Sequence, residues 1–216
     1  MEGNKMYDLN NFYTNGFCII DNFLKGDVSD SLLNKFKTIK DWDRVDQVRN
    51  HYQKGGPFEM ESIYFPNHDE EYYLQGWRAK DYESSELWVK YFNDKFLIKI
   101  SELFQKKIQR DTTYILKYTK NDFSRIHVDD LRGDVDRVDI SILFYLCDQW
   151  VWDWGGILML AESTESEDMI SIMPKNNRLV LINNQMKLPH CVTPVASYAK
   201  NDRFAIASFI GCETPF

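Results

Sequence analysis

The residues whose types and spacing could do chemistry are few. Only four histidines occur, His51, His68, His127 and His190. The segment Arg125-Ile126-His127-Val128-Asp129-Asp130 sets an imidazole and a carboxylate two positions apart. Along a strand, positions i and i+2 share a face, so His127 and Asp129 would stand side by side while Asp130 would not. His190 follows 63 residues later in Leu188-Pro189-His190-Cys191-Val192-Thr193-Pro194-Val195. A second imidazole from a neighbouring strand would complete two histidines and one carboxylate on one face of a metal. Nitrogen and hard oxygen donors filling three positions, with three left open, suit non-haem Fe(II). Each motif alone admits a plainer reading: a surface histidine beside loop carboxylates for His127, a buried core histidine for His190. Arg203 opens an apolar run at 204–209. A guanidinium inside a barrel needs an anion, and its planar fork matches a carboxylate. At a strand end it could instead keep its head in water.

The elements that must position these groups follow from pattern. Residues 16–24 form a short apolar run after Gly16, an early strand. Leu32, Leu33, Phe36 and Ile39 give a helical stripe over 29–39, with Asp27 or Ser29 as its cap. Residues 41–80 read as strands and long loops. A wider stripe from 84 to 108, through Trp88, Tyr91, Phe92, Phe96, Ile100, Leu103 and Phe104, predicts a further helix that Asn93-Asp94 could break. After residue 112 short β-rich runs follow one another at 113–118, 138–146, 156–160, 169–172, 178–182, 191–195 and 204–210. Strands at that spacing predict an antiparallel sandwich or barrel of about 100 residues, with helices packed on it.

Composition excludes several classes. The 216 residues suit one domain, and 44% hydrophobic content supplies a core. Residues 1–112 read as N-terminal strands and supporting helices, and 113–212 as the β core. A formal charge of −7 offers no basic field to gather phosphates, so a nucleic-acid partner is not expected. The opening lacks the apolar stretch of a signal peptide, and no run approaches 18 apolar residues, so no membrane partner is expected. Cys18, Cys147, Cys191 and Cys212 are widely spaced. They read as reduced, mostly buried thiols of a cytoplasmic protein. Nothing here speaks to oligomeric state.

The motifs gain weight as an ordered set. Tyr118 stands nine residues before His127. Ile142-Leu143-Phe144-Tyr145-Leu146-Cys147, Trp154-Gly155-Gly156-Ile157-Leu158, Pro174-Lys175-Asn176-Asn177-Arg178-Leu179-Val180-Leu181, the His190 segment and Arg203-Phe204-Ala205-Ile206 follow in turn. From about residue 113 to 209 this resembles the Fe(II)- and 2-oxoglutarate-dependent dioxygenase superfamily, in its prolyl-4-hydroxylase-like branch. The resemblance implies a double-stranded β-helix, a cupin-like jelly roll that is mainly β with supporting helices (α+β). It implies that His127, Asp129 and His190 bind Fe(II). It implies that Arg203 pairs with the C5 carboxylate of 2-oxoglutarate, that Tyr145 hydrogen-bonds it, and that Tyr118 lines the same pocket. O2 is the second cosubstrate, with ascorbate as an optional reductant. The expected reaction hydroxylates an unactivated C–H of a peptidyl residue, prolyl-type, or of an amino acid or other small metabolite, releasing succinate and CO2.

Two positions depart from the pattern. Cys147 stands where the branch has asparagine, and the interval from His190 to Arg203 implies a longer turn over 196–201. The acidic, arginine-dotted stretch 129–139 reads as a substrate lid or as a solvated loop. Trp150, Trp152 and Trp154 crowd one turn and could flank the substrate, but a packing role is the favoured reading. A different class of function remains open from sequence: a catalytically silent jelly roll that binds a metal or carboxylate as a sensor or scaffold.

Overall fold

A computed structural model describes residues 9–48, 72–80, 96–129, 137–214 and 216. Among the described residues three helices, α1 (Asn10–Thr14), α2 (Gly26–Thr38) and α3 (Leu97–Phe104), accompany eleven strands. The strands are β1 (Phe17–Asp21), β2 (Trp42–Val48), β3 (Tyr72–Ala79), β4 (Ile108–Tyr118), β5 (Phe123–His127) and β6 (Ile140–Leu146). They continue with β7 (Leu158–Leu160), β8 (Ile170–Ile172), β9 (Arg178–Asn183), β10 (His190–Val192) and β11 (Arg203–Cys212). All pairings are antiparallel, in the order β1-β9-β6-β11-β4-β3-β5-β10-β7-β8, with β2 on β3. β3 bonds β4 through Trp77 and Arg78, and β5 through Leu74 and Gln75. It thereby carries one curled sheet from its larger half to its smaller half, a jelly-roll arrangement of mainly β structure. The N-terminal half is woven into that sheet, since β1 pairs with β9 in register Phe17↔Ile182 to Asp21↔Arg178.

The larger half is buried on both faces, which explains its composition. On β6, Ile140, Ile142, Phe144 and Leu146 enter a helix-backed core with Leu32, Leu33 and Phe36 of α2 and Ile100 and Phe104 of α3. The alternate residue Tyr145 enters a second core inside the roll, with Val180, Ile182, Leu158 and Ala205. Each apolar strand therefore feeds two cores, and period-two alternation disappears from its sequence.

Several expected bounds shift. The helix expected over 29–39 begins at Gly26, after Lys25, and no side chain caps it. Ser29 lies inside its first turn and donates to the Gly26 carbonyl at 2.9 Å. The helix expected over 84–108 is described only as α3, because 81–95 lie outside the described residues. It stops before Ile108, since Gln105 turns left-handed at φ 51° and Ile108 opens β4. The 191–195 strand is β10, which starts one residue earlier at His190 and ends at Val192. β5 had no counterpart among the expected runs. Among the described residues, no helix is long and apolar enough to cross a membrane.

Candidate active site

The smaller half of the sheet brings two distant histidines together. β10 runs antiparallel to β5 with His190 directly opposite His127. Opposed residues share a face, and the two ring centroids stand 4.2 Å apart. Asp129 lies two residues beyond the end of β5, not on the strand as expected. The chain nonetheless returns its carboxylate to the pair. Oδ1 is 3.7 Å from His127 Nε2, and Oδ2 is 3.6 Å from His190 Nε2. One ligand atom from each residue lies within 4.8 Å of the others.

Backbone contacts set the histidine tautomers. His127 Nδ1 donates to the Arg125 carbonyl at 2.8 Å, and His190 Nδ1 to the Leu188 carbonyl at 3.0 Å. A carbonyl can only accept, so each Nδ1 carries the hydrogen and a neutral ring has a bare Nε2. Burial and the neighbouring His190 push the His127 pKa down to about 4, so His127 is neutral near pH 7. Two imidazole Nε2 atoms and a carboxylate thus converge on one point. Their N, N, O donor set fits Fe(II).

A buried relay holds the carboxylate. Ser141 on β6 donates to Asp129 Oδ2, and Asn184 Nδ2 donates to Ser141 Oγ at 2.8 Å. Asn184 is fixed in turn by its backbone N–H on the Asp139 carbonyl at 3.1 Å. Sequence reasoning missed Ser141 and Asn184. The available signal was a lone serine in the run Ile-Ser-Ile-Leu-Phe-Tyr-Leu, since a buried polar side chain needs a partner. Ser141→Ala frees Asp129 to rotate and should weaken metal binding about 10- to 100-fold. Anaerobic metal titration checks this, and an unchanged affinity would reduce Ser141 to a packing residue.

The larger half supplies a cation. Arg203 opens β11 opposite Tyr118 of β4 and is only 2% exposed. Its Nη2 donates to Tyr145 Oη at 3.1 Å. Its guanidinium carbon sits 5.0 Å from the Tyr118 ring centroid and 4.7 Å from that of Tyr145. Its Nε is buried with no hydrogen-bond partner. Burial pushes Tyr118 up to about 12 against the opposing pull of Arg203, and it raises Tyr145 as well. Both phenols therefore stay neutral and no described carboxylate balances Arg203. A buried cation in that state fits a carboxylate ligand such as that of 2-oxoglutarate. Gly156 makes room for it: a Cβ there would meet Arg203 Cδ and Val195 Cγ2 at 3.2 Å, at a φ of +63°.

The remaining candidates sort plainly. Cys147, in the place of the branch's asparagine, is buried inside the roll, and burial raises its thiol pKa to about 12. Trp150 and Trp154 pack edge to face at 5.3 Å, but Trp152 is 74% exposed, contrary to a packing role for all three. Of the 129–139 stretch, 130–136 lie outside the described residues. Its end is structural, because Asp139 is fully buried and accepts from Arg137 Nε and the Cys212 backbone N–H, both at 2.7 Å. His51 and His68 also lie outside the described residues.

Comparison with known proteins agrees with this geometry. Residues 113–211 match the family model of the 2OG-Fe(II) oxygenase superfamily. No curated protein sequence matches the chain. Among solved structures, it is similar to a prolyl-4-hydroxylase from Pseudomonas putida, with 18% identity and a TM-score of 0.62 over 94% of this chain and 95% of that one. A prolyl hydroxylase from Trichoplax adhaerens, solved with a peptide fragment of the hypoxia-inducible-factor oxygen degradation domain, shares 26% identity at a TM-score of 0.62. That match covers 94% of this chain and 86% of the other. HygX from Streptomyces hygroscopicus, solved with nickel, 2-oxoglutarate and hygromycin B, shares the fold at 15% identity and a TM-score of 0.59, over 94% and 85%. Family model and fold together point to the 2OG-Fe(II) oxygenase superfamily, in its prolyl-4-hydroxylase-like branch, and so to an Fe(II)- and 2-oxoglutarate-dependent oxygenase.

Proposed function

We propose that this oxygenase hydroxylates a prolyl-type residue within a polypeptide, with His127, Asp129 and His190 as metal ligands and Arg203, Tyr145 and Tyr118 as the cosubstrate cradle. The convergence of two imidazole nitrogens and one carboxylate carries this reading. Fe(II) with 2-oxoglutarate and O2 supplies oxidative decarboxylation, returning succinate and CO2 and placing one oxygen atom on a C–H bond.

The chain's own residues bind, orient and shield. The Arg125 and Leu188 carbonyls keep both Nε2 lone pairs available. The Ser141–Asn184 relay fixes Asp129. Arg203 offers its fork to the far carboxylate of 2-oxoglutarate, and Tyr145 adds a phenol hydrogen bond. Apolar walls such as Leu158, Val180 and Ala205 exclude water around them. Retention of metal donors and an unbalanced Arg203 together disfavours a silent sensor. Residues 1–216 act as one domain in this reading, with the site in 113–212 and the pairings of β1 and β3 supporting unity. A cytoplasmic setting accords with four free cysteines, three buried and Cys191 half-buried.

A peptidyl substrate is favoured by the 26%-identical neighbour's peptide complex. The test is succinate release by the full chain with Fe(II) and 2-oxoglutarate. One arm supplies capped prolyl peptides and the other free amino acids. Peptides should raise succinate formation about tenfold over the substrate-free rate, with one oxygen atom added at proline by mass spectrometry. Stimulation by amino acids alone, or by neither arm, would sink the prolyl-peptide reading.

A further inference from the structure

Arg78 of β3 is a cation whose surroundings the cosubstrate and metal sites do not explain. Strand alternation fixes the wall it belongs to. A Cβ on Gly76 would meet the Tyr118 ring at 2.8 Å, so the Gly76 side of β3 faces the pocket that Tyr118 lines. Arg78, two residues on, shares that side. Its guanidinium carbon lies 3.8 Å from the ring centroid of Tyr114, which shares the inner face of β4 with Leu116 and Tyr118.

Register places this pair along the wall. One rung runs Arg78–Leu116–Ala205–Tyr145 across β3, β4, β11 and β6. The next rung on the same face is Tyr114–Ala207–Leu143, and the one beyond is Thr112–Phe209–Ser141. Tyr145 belongs to the Arg203 end, and Ser141 holds Asp129. Leaning onto Tyr114, the Arg78 guanidinium therefore stands at the level between the two. Solvent reaches that level. Leu143 is the one residue of β6, and Phe209 the one residue of β11, that is not buried. Tyr114 and Leu116 are half-buried as well, while Ala205 and Ala207 keep the floor low.

Among the described residues the cation has no anion. Arg78 Nε is buried without a hydrogen-bond partner. Arg78 forms no ion pair with any described carboxylate; the described arginine ion pairs belong to Arg44, Arg137 and Arg178. The Tyr114 face offsets part of the cost of withdrawing a guanidinium from water and orients its fork. A planar fork fixed beside an open apolar wall matches a carboxylate arriving in that space.

We infer that Arg78, stacked on Tyr114, is a subsite for a carboxylate of the substrate. This rests on the oxygenase reading of the neighbouring site and narrows its substrate class. Three interstrand steps of about 4.8 Å separate β3 from β6, about 14 Å in all. The carboxylate thus lies within about four residues of the reacting one, as an acidic side chain or as a free α-carboxylate.

The test uses the full chain loaded with Mn(II) and 2-oxoglutarate under argon, so that nothing turns over. It is applied to an array of prolyl peptides. Each carries Glu or Gln at one of four flanking positions on either side, with ends capped or left as the free acid. The wild type should retain at least one carboxylate-bearing member about tenfold or more over its neutral twin, the scale of a lost charge-assisted contact. The position of that member tells a side-chain carboxylate from a terminal one. Arg78→Gln should level the pair to within about twofold, and Arg78→Lys should restore most of the preference. Arg78→Met, which keeps an unbranched side chain of similar length without the charge, serves if the glutamine variant does not fold. A wild type that binds acidic and neutral members alike, or binds none, overturns the inference. So does a preference that survives in the variants. Titration of 2-oxoglutarate on the same wild-type protein separates the two readings. Failure to bind it refutes the oxygenase site, whereas normal binding without a carboxylate preference refutes the subsite alone.

Discussion

Asp129→Asn should abolish metal-dependent turnover while leaving the metal-free protein at least as stable as the wild type. Without a cation, Asp129 is 4% exposed and faces two bare Nε2 atoms at 3.6 and 3.7 Å. Its one described donor is Ser141. A carboxylate buried with one described hydrogen-bond donor is poorly satisfied in a low-dielectric site. An asparagine keeps the shape, accepts from Ser141 and can turn an N–H toward a histidine nitrogen, so the metal-free midpoint should hold or rise by a few degrees. Metal binding should collapse. Structural sites draw about 10–16 kcal/mol from four ligands, so one ligand is worth about 3–4 kcal/mol, or roughly 10²–10³ in affinity. At a hundredfold excess over Kd, metal adds about 2.7 kcal/mol of stability. For a chain of this size that is about 5–10 °C. Thermal melts with and without Mn(II) should show that rise in the wild type and none in the variant. A metal-free variant that melts well below the wild type would mark Asp129 as structural, and a surviving metal shift would refute its assignment as a ligand.

Sequence made the chemistry easier to read than the elements that deliver it. His127, Asp129, His190 and Arg203 are polar residues set in apolar surroundings, and motif order tied them together. Their geometry required register: His190 meets His127 because β10 and β5 align them, and no local signal encodes a pairing across 63 residues. The expectation that His127 and Asp129 share a strand face was local, and the chain leaves β5 between them. β6, β9 and β11 were found as apolar runs, but burial on both faces hid which residues point inward. That choice decides function, since Ser141, Leu143 and Tyr145 line the roll while Ile140, Ile142 and Phe144 back onto helices. β5 escaped notice because Phe-Ser-Arg-Ile-His is short and half polar. The N-terminal part of β4 escaped for a similar reason: Gln109, Arg110 and Asp111 hide a strand that β11 pairs from the other side.

Arg203→Met should lower affinity for 2-oxoglutarate by about a hundredfold or more, again without loss of intrinsic stability. The two halves of this expectation come from one observation. Arg203 is 2% exposed, its Nε has no partner, and a single 3.1 Å bond to Tyr145 is its described hydrogen bond. A buried charge so poorly matched costs the ligand-free fold free energy, which the Tyr118 and Tyr145 rings offset only in part. Methionine fills similar space without charge, so the ligand-free midpoint should stay level or rise, the usual exchange of function for stability. In the proposed cosubstrate role, the same mismatch would make the residue a strong receptor. Removing one partner of a buried charged pair costs about 2–5 kcal/mol, or roughly 30- to 5,000-fold. Arg203→Lys keeps the charge but loses the fork, and should sit between, at about tenfold. Calorimetric titration of 2-oxoglutarate into Mn(II)-loaded protein reads all three forms. Equal affinities across the series would remove Arg203 from the cosubstrate site. A methionine variant that melts far below the wild type would instead mean that the guanidinium holds the roll together.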